Sequence, residues 1–199
     1  LEEIPGGKTY WVATSPDGQM AATASDDVRL WNTSEPALIR TLEGGSNTVM
    51  LNFSPDGSML GGVRDLETAY ELVIWDLRAD TPPQRFRISA SEIHWIEFHP
   101  LQPLIVVSLR ETDLNYCAKL FSLKTGEIEA EYLGHSEKIS QFAFTSDGSR
   151  LATISWDETT RLWETKSGRE ILSLDREYLR TQIGISFSPD DEILYTVTS

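Results

Sequence analysis

One cysteine, Cys117, in 199 residues leaves no partner for a disulfide within the chain and removes the cysteine-based zinc spacings. Basic residues are also short, 17 Lys and Arg against 31 Asp and Glu, for a net charge of −14. Affinity for a nucleic-acid backbone rests on clustered Lys and Arg, and a stretch such as Arg85 to Arg87 is too brief to form a stripe, so no nucleic-acid partner is expected. The acid surplus suits solubility or the steering of a basic partner. Long apolar runs are missing: Leu104 to Val107 is typical, against the roughly 20 residues of a spanning helix, so no membrane partner is expected. No basic-then-apolar leader follows Leu1, and with the lone cysteine this sets a cytoplasmic expectation. Helical periodicity is absent too. The paired glycines at 6 and 7, 44 and 45, and 61 and 62 lack the residues of a phosphate loop. His94 and His99 have no metal-ligating partner at usable spacing, which leaves them solvent-facing or turn roles and the protein without an expected metal or cofactor.

What the chain does have is aromatic residues spread along its whole length, six Trp, six Tyr and seven Phe, which excludes intrinsic disorder. It also has an internal repeat. A turn tetrapeptide recurs as Ser15-Pro16-Asp17-Gly18, Ser54-Pro55-Asp56-Gly57, Thr145-Ser146-Asp147-Gly148 and Ser188-Pro189-Asp190-Asp191, with His99-Pro100 in place of the remaining copy. In phase with it run Val28-Arg29-Leu30-Trp31-Asn32, Leu72-Val73-Ile74-Trp75-Asp76, Ala118-Lys119-Leu120-Phe121-Ser122 and Thr160-Arg161-Leu162-Trp163-Glu164. Each unit reads as short β-strands joined by turns. Proline presets φ for the first turn position, aspartate bonds its own backbone, and glycine takes the left-handed conformation.

These residues resemble the WD-repeat β-propellers. The resemblance is strongest in Gly134-His135, Phe142 to Gly148, Leu151 to Asp157 and Arg161 to Glu164, which follow that family's pattern in order and spacing. It implies an all-β fold, a propeller of four-stranded antiparallel blades, at roughly 40 to 45 residues per blade. A seven-bladed ring would need roughly 300 residues at that period, so the expectation is an incomplete ring, a fragment of a longer propeller. On this reading residues 1–7 hold the outer strand of a preceding blade. Repeats one to four occupy 8–43, 44–88, 89–133 and 134–175, and 176–199 is the first half of a fifth.

His135, Ser155 and Asp157 suggest a hydrolase triad, but their phase with Trp163 argues for structure. The resemblance implies that His135, Ser155, Asp157 and Trp163 form a hydrogen-bond relay in which the indole donates, the hydroxyl and imidazole pass the bond on, and the carboxylate accepts. The other repeats depart from it. Repeat one keeps Ser25 and Trp31 without a histidine, repeat two offers Gly45 and Arg64 beside Trp75, and repeat three pairs Ser108 with Phe121, which has no N–H. Thr198 is in phase with Ser155.

No catalytic residue is therefore expected, and function moves to surface recognition on loops. Repeats two and three carry insertions, Asp65 to Glu71 and Leu109 to Tyr116, between their second and third strands. Family geometry implies that these rise together on the top face. Asp65, Glu67, Tyr70, Glu71, Arg110, Glu111, Asp113 and Tyr116 would offer aromatic anchors in an acidic rim, which suits a basic segment of a protein or peptide. Trp156 and Lys138 resemble the family's usual top-face contact positions, with packing against an adjacent blade the alternative for Trp156. The expected function is a non-catalytic interaction scaffold, with the remaining blades of a parent propeller as further partners. The alternative is a regulatory or sensing propeller of a larger multidomain enzyme such as a protein kinase.

Overall fold

The computed structural model describes residues 11–111, 115–175 and 182–198. The chain divides into two compact units, Leu1–Ser89 and Ala90–Ser199.

In the first unit β1 (Trp11–Thr14), β2 (Met20–Ala24), β3 (Val28–Asn32) and β4 (Ala37–Leu42) form one antiparallel sheet in sequence order. β5 (Thr48–Phe53), β6 (Met59–Asp65), β7 (Tyr70–Asp76) and β8 (Gln84–Ile88) form the next. Ala22, Val28 and Leu30 from one sheet bury against Leu51, Phe53 and Trp75 of the other. The outer strand expected within residues 1–7 lies outside the described residues.

The second unit repeats the arrangement. β9 (Glu92–Phe98), β10 (Leu104–Arg110), β11 (Tyr116–Ser122) and β12 (Ile128–Leu133) make one sheet. β13 (Ile139–Phe144), β14 (Arg150–Ser155), β15 (Thr159–Glu164) and β16 (Glu170–Asp175) make another, and β17 (Gln182–Phe187) pairs with β18 (Leu194–Thr198). Val106, Leu120 and Tyr132 pack on Ile139, Phe142, Leu151 and Trp163. All of this is antiparallel β-structure, four four-stranded blades and the β17–β18 pair, and no helix occurs among the described residues.

The turn tetrapeptide closes the first hairpin in one way wherever it occurs. Ser15 donates to the Asp17 carboxylate at 2.6 Å, the Gln19 and Met20 amides donate to Asp17 and to the Ser15 hydroxyl, and Gly18 sits at φ 69°. Ser54 with Asp56, Thr145 with Asp147, and Ser188 with Asp190 repeat it. These bonds hold Asp56 and Asp147 at a pKa of about 2. Where the third copy has His99 instead, the imidazole Nδ1 accepts the Leu101 and Gln102 amides at 3.1 Å. A ring nitrogen does there what an aspartate oxygen does elsewhere, so His99 takes a turn role. Burial holds this imidazole below the usual histidine pKa, against opposing help from Gly148 and Asp147.

A second shared feature is a bulge on the first strand. Met50, His94, Ser140 and Ile183 are each skipped in the ladder to the second strand. A bulge residue has no cross-strand partner and its side chain is re-aimed. That corrects the solvent-facing option for His94: its side chain is only 7 % exposed.

Candidate functional site

The relay forms in the fourth blade, with one member changed. Trp163 donates its indole N–H to the Thr153 hydroxyl at 3.0 Å, and Thr153 Oγ1 lies 2.7 Å from His135 Nε2. His135 Nδ1 lies 2.8 Å from Asp157 Oδ2. An ionised carboxylate only accepts, so Nδ1 donates to Asp157; in the Nδ1–H tautomer Nε2 accepts from Thr153 and every bond runs in one direction from indole to carboxylate. Asp157 also takes the Ser136 amide at 3.0 Å and the Thr159 amide and hydroxyl at 3.0 and 2.7 Å. Burial works against its charge, but the His135 and Thr159 bonds prevail and hold it well below the usual carboxylate range.

Ser155 is not the hydroxyl in this chain. Its Oγ donates to the Glu137 carbonyl at 2.9 Å and accepts the Asp157 amide at 3.1 Å, fixing the loop that carries Trp156. Positions 153 and 155 share one face of β14, so alternation alone does not separate them; Thr153 is the one beside His135. The structure also disposes of the triad, because Ser155 is bonded elsewhere and Thr153 is 0 % exposed, out of reach of any substrate.

Other blades fill the same place differently. In the first, Trp31 donates to Thr23 at 2.9 Å, again two residues before the serine suggested by sequence, Ser25. In the second, Trp75 donates to the Glu43 backbone carbonyl at 2.9 Å. Gly62 faces that indole, where a Cβ would stand 3.1 Å from the Trp75 ring and 2.7 Å from Thr48. In the third, Ser108 donates to the Ile139 carbonyl at 2.7 Å, tying the third blade to the fourth. Arg64, proposed in place of the relay serine, donates instead to the Ser46 carbonyl and pairs with Glu71 at 2.8 Å. Thr198 ends β18, and its side chain lies outside the described residues.

The two insertions lengthen hairpins more than they add free loop. Arg64 pairs in register with Glu71 and Asp65 with Tyr70, leaving a short turn in which Asp65 accepts the Glu67 amide at 2.9 Å and Glu67 takes φ 67°. Asp65 and Glu67 are exposed, Tyr70 is half-buried, and Glu71 is shared by Arg64 and Arg85. Its burial is outweighed by both guanidiniums, which hold its pKa down.

In the third blade Arg110 lies opposite Tyr116, with its guanidinium 5.8 Å from that ring and 2.6 Å from Glu92. Glu111 is engaged by Lys119 and by Asn115. Asp113 lies outside the described residues. Tyr116 stacks on His94 with ring centroids 6.0 Å apart. Burial foremost, with Lys138 and Arg110 against an opposing Glu92, brings the His94 pKa down to about 4.

Trp156 is 60 % exposed. Its amide donates to the Lys138 carbonyl at 2.9 Å and the Lys138 ammonium sits 5.1 Å from its indole centroid, so the two form one presented unit. Among the described residues no group of three or more His, Cys, Asp or Glu is placed to hold a metal.

The family model described as "WD domain, G-beta repeat" matches residues 126–164, which run from just before β12 to the end of β15 and take in every relay member. Residues 126–164 match a WD repeat, and the chain is similar to WD-repeat proteins. Among curated relatives, Periodic tryptophan protein 2 homolog of Dictyostelium discoideum is 27 % identical over 168 residues, 80 % of this chain and 17 % of that protein. WD repeat and SOCS box-containing protein 1 of Mus musculus is 26 % identical over 204 residues, 96 % of this chain and 47 % of that protein. Apoptotic protease-activating factor 1 of Homo sapiens is 29 % identical over 107 residues, 54 % of this chain and 8 % of that protein. The chain thus spans about half the length of these relatives or less. WD repeats generally serve as interaction scaffolds rather than catalysts. Sequence reasoning missed three residues around the loops and relay: Thr153, His94 and Glu92. Thr153 had a signal in the matching Thr23 of repeat one, whereas nothing in the sequence marked the bulge that buries His94.

Proposed function

We propose that this WD-repeat chain is a non-catalytic scaffold that docks a protein or peptide segment against the loop following β14, with Trp156 as the anchor. The observation that carries the reading is a large indole held out in solvent by a backbone bond and a cation beside it. Indoles in such positions concentrate binding energy, and the rim around Trp156 includes the exposed Glu137 and Glu158. The acidic rim favours a basic partner segment.

The test is quantitative affinity capture with the intact protein, with Trp156→Ala, and with Leu101→Ala as an exposed apolar control. Partners retained by the control and lost from Trp156→Ala support the reading. Identical partner sets for all three sink it.

The second reading, a regulatory propeller in a larger multidomain enzyme, draws support from the relatives, of which the chain matches between 8 and 47 %. Kinase or other catalytic motifs in contiguous sequence would favour it.

A further inference from the structure

At the opposite end of β14 from Trp156, the third and fourth blades enclose a cleft of about 460 Å³. Its apolar part is Leu104 and Leu120, and its polar rim carries Glu129, Asp147 and Glu164 against one cation, Lys166. Asp147 is fixed and ionised by its turn, with one oxygen accepting Thr145 and Ser149. Glu164 is steadied by Ser167, with Arg169 at 3.7 Å. With Glu164 offset in part by Arg169, the carboxylates of Glu129 and Asp147 still outnumber the Lys166 ammonium, and the cleft is within the size range of small-ligand sites.

A separate observation is the Thr165 hydroxyl. Thr165 is 4 % exposed and lines the cleft. Its amide donates to Ser149 and its carbonyl accepts the Tyr132 hydroxyl, but its own Oγ1 is buried with no hydrogen-bond partner. An interior polar group left unmade is costly and calls for a donor or acceptor brought from elsewhere.

We propose that this cleft receives an arginine side chain of a partner peptide. The guanidinium presents five N–H donors in a planar fork and has no acceptor of its own. It therefore matches a wall of carboxylate and hydroxyl oxygens. Its three-methylene stem suits Leu104 and Leu120. A lysine ammonium is compact and strongly hydrated, and reaches fewer acceptors at once. The assignment is independent of the Trp156 reading, since the two sites lie at opposite ends of the sheet.

The test is amide chemical-shift titration of the full 199-residue chain with acetyl-Gly-Arg-Gly-amide, beside its citrulline and lysine counterparts. Saturable shifts at Ser149, Thr165 and Lys166 are expected with arginine, with citrulline and lysine about tenfold weaker. Glu129→Gln, on an exposed outer strand, should weaken the arginine peptide several-fold. Thr165→Val should do the same while raising the unfolding midpoint, because it removes the unpaired hydroxyl. That opposite movement of binding and stability separates a ligand role from a structural one. Shifts that fail to saturate, equal affinity for citrulline or lysine, or wild-type binding by both variants would overturn the proposal.

Discussion

Trp163 and Thr153 meet through a single hydrogen bond of 3.0 Å, and Trp31 and Thr23 make the same bond at 2.9 Å in the first blade. Only in the fourth does the hydroxyl go on to a histidine and a carboxylate. Thr153→Val keeps the shape but leaves both the Trp163 N–H and His135 Nε2 unmatched in the interior. It should cost about 2 to 4 kcal/mol, whereas Ser155→Ala should cost about 1 kcal/mol. Urea denaturation of the two variants checks the order; equal losses would return Ser155 to the relay.

Acid should release the fourth blade through Asp157. Its folded pKa lies below the ordinary aspartate value of 3.8, so its contribution is complete above about pH 4 and is lost as pH falls below that. Asp157→Asn should be less stable near neutrality, and it should show a flatter decline between about pH 4 and pH 2. Denaturation midpoints across that range provide the measurement.

His94 should give a second, higher acid limb. Burial favours its neutral form and lowers its pKa from 6.5 to about 4, so stability is complete above pH 6.5 and declines as pH falls towards 4. The loss by the lower end should be roughly 2 to 3 kcal/mol. His94→Phe keeps a ring against Tyr116 and should shrink this limb to the part due to His99. Fluorescence-monitored melts between pH 7 and pH 4 distinguish the two proteins; parallel curves would contradict the assignment.

Restoring a relay hydroxyl to the second blade should fail. Gly62→Thr would set a Cβ 2.7 Å from the Thr48 methyl and 3.1 Å from the Trp75 ring. Overpacking of this kind should destabilise by about 1 to 3 kcal/mol, read as a lower unfolding midpoint. A gain in stability would show that Trp75 prefers a hydroxyl to the Glu43 carbonyl.

Blade pattern and strand order were legible because turn residues and alternating apolar residues recur in phase, as Asp17, Asp56, Asp147 and Asp190 do in their turns. The relay was legible to within two residues and no better. Thr153 and Ser155 are both hydroxyls on one face of a strand, and only the position of the His135 ring distinguishes them. His94 was not legible, since alternation assumes an unbroken ladder and the bulge beside Ser108 and Leu109 breaks it. The insertions were legible as extra length, but Arg64 with Glu71 and Arg110 with Tyr116 convert that length into strand by cross-strand pairing.

Trp156 and Trp163 differ in exposure from 60 % to 1 % although they stand on one hairpin. One hairpin therefore holds two optical reporters in opposite surroundings, a red-emitting indole in water and a blue-emitting one in the interior. Lys138 and the exposed Glu137 and Glu158 put opposing charges near the first, so a neutral quencher such as acrylamide separates the two by exposure alone. With the other four tryptophans replaced by phenylalanine, a neutral quencher thus reads the state of the loop while the interior signal reports whether the blade is folded.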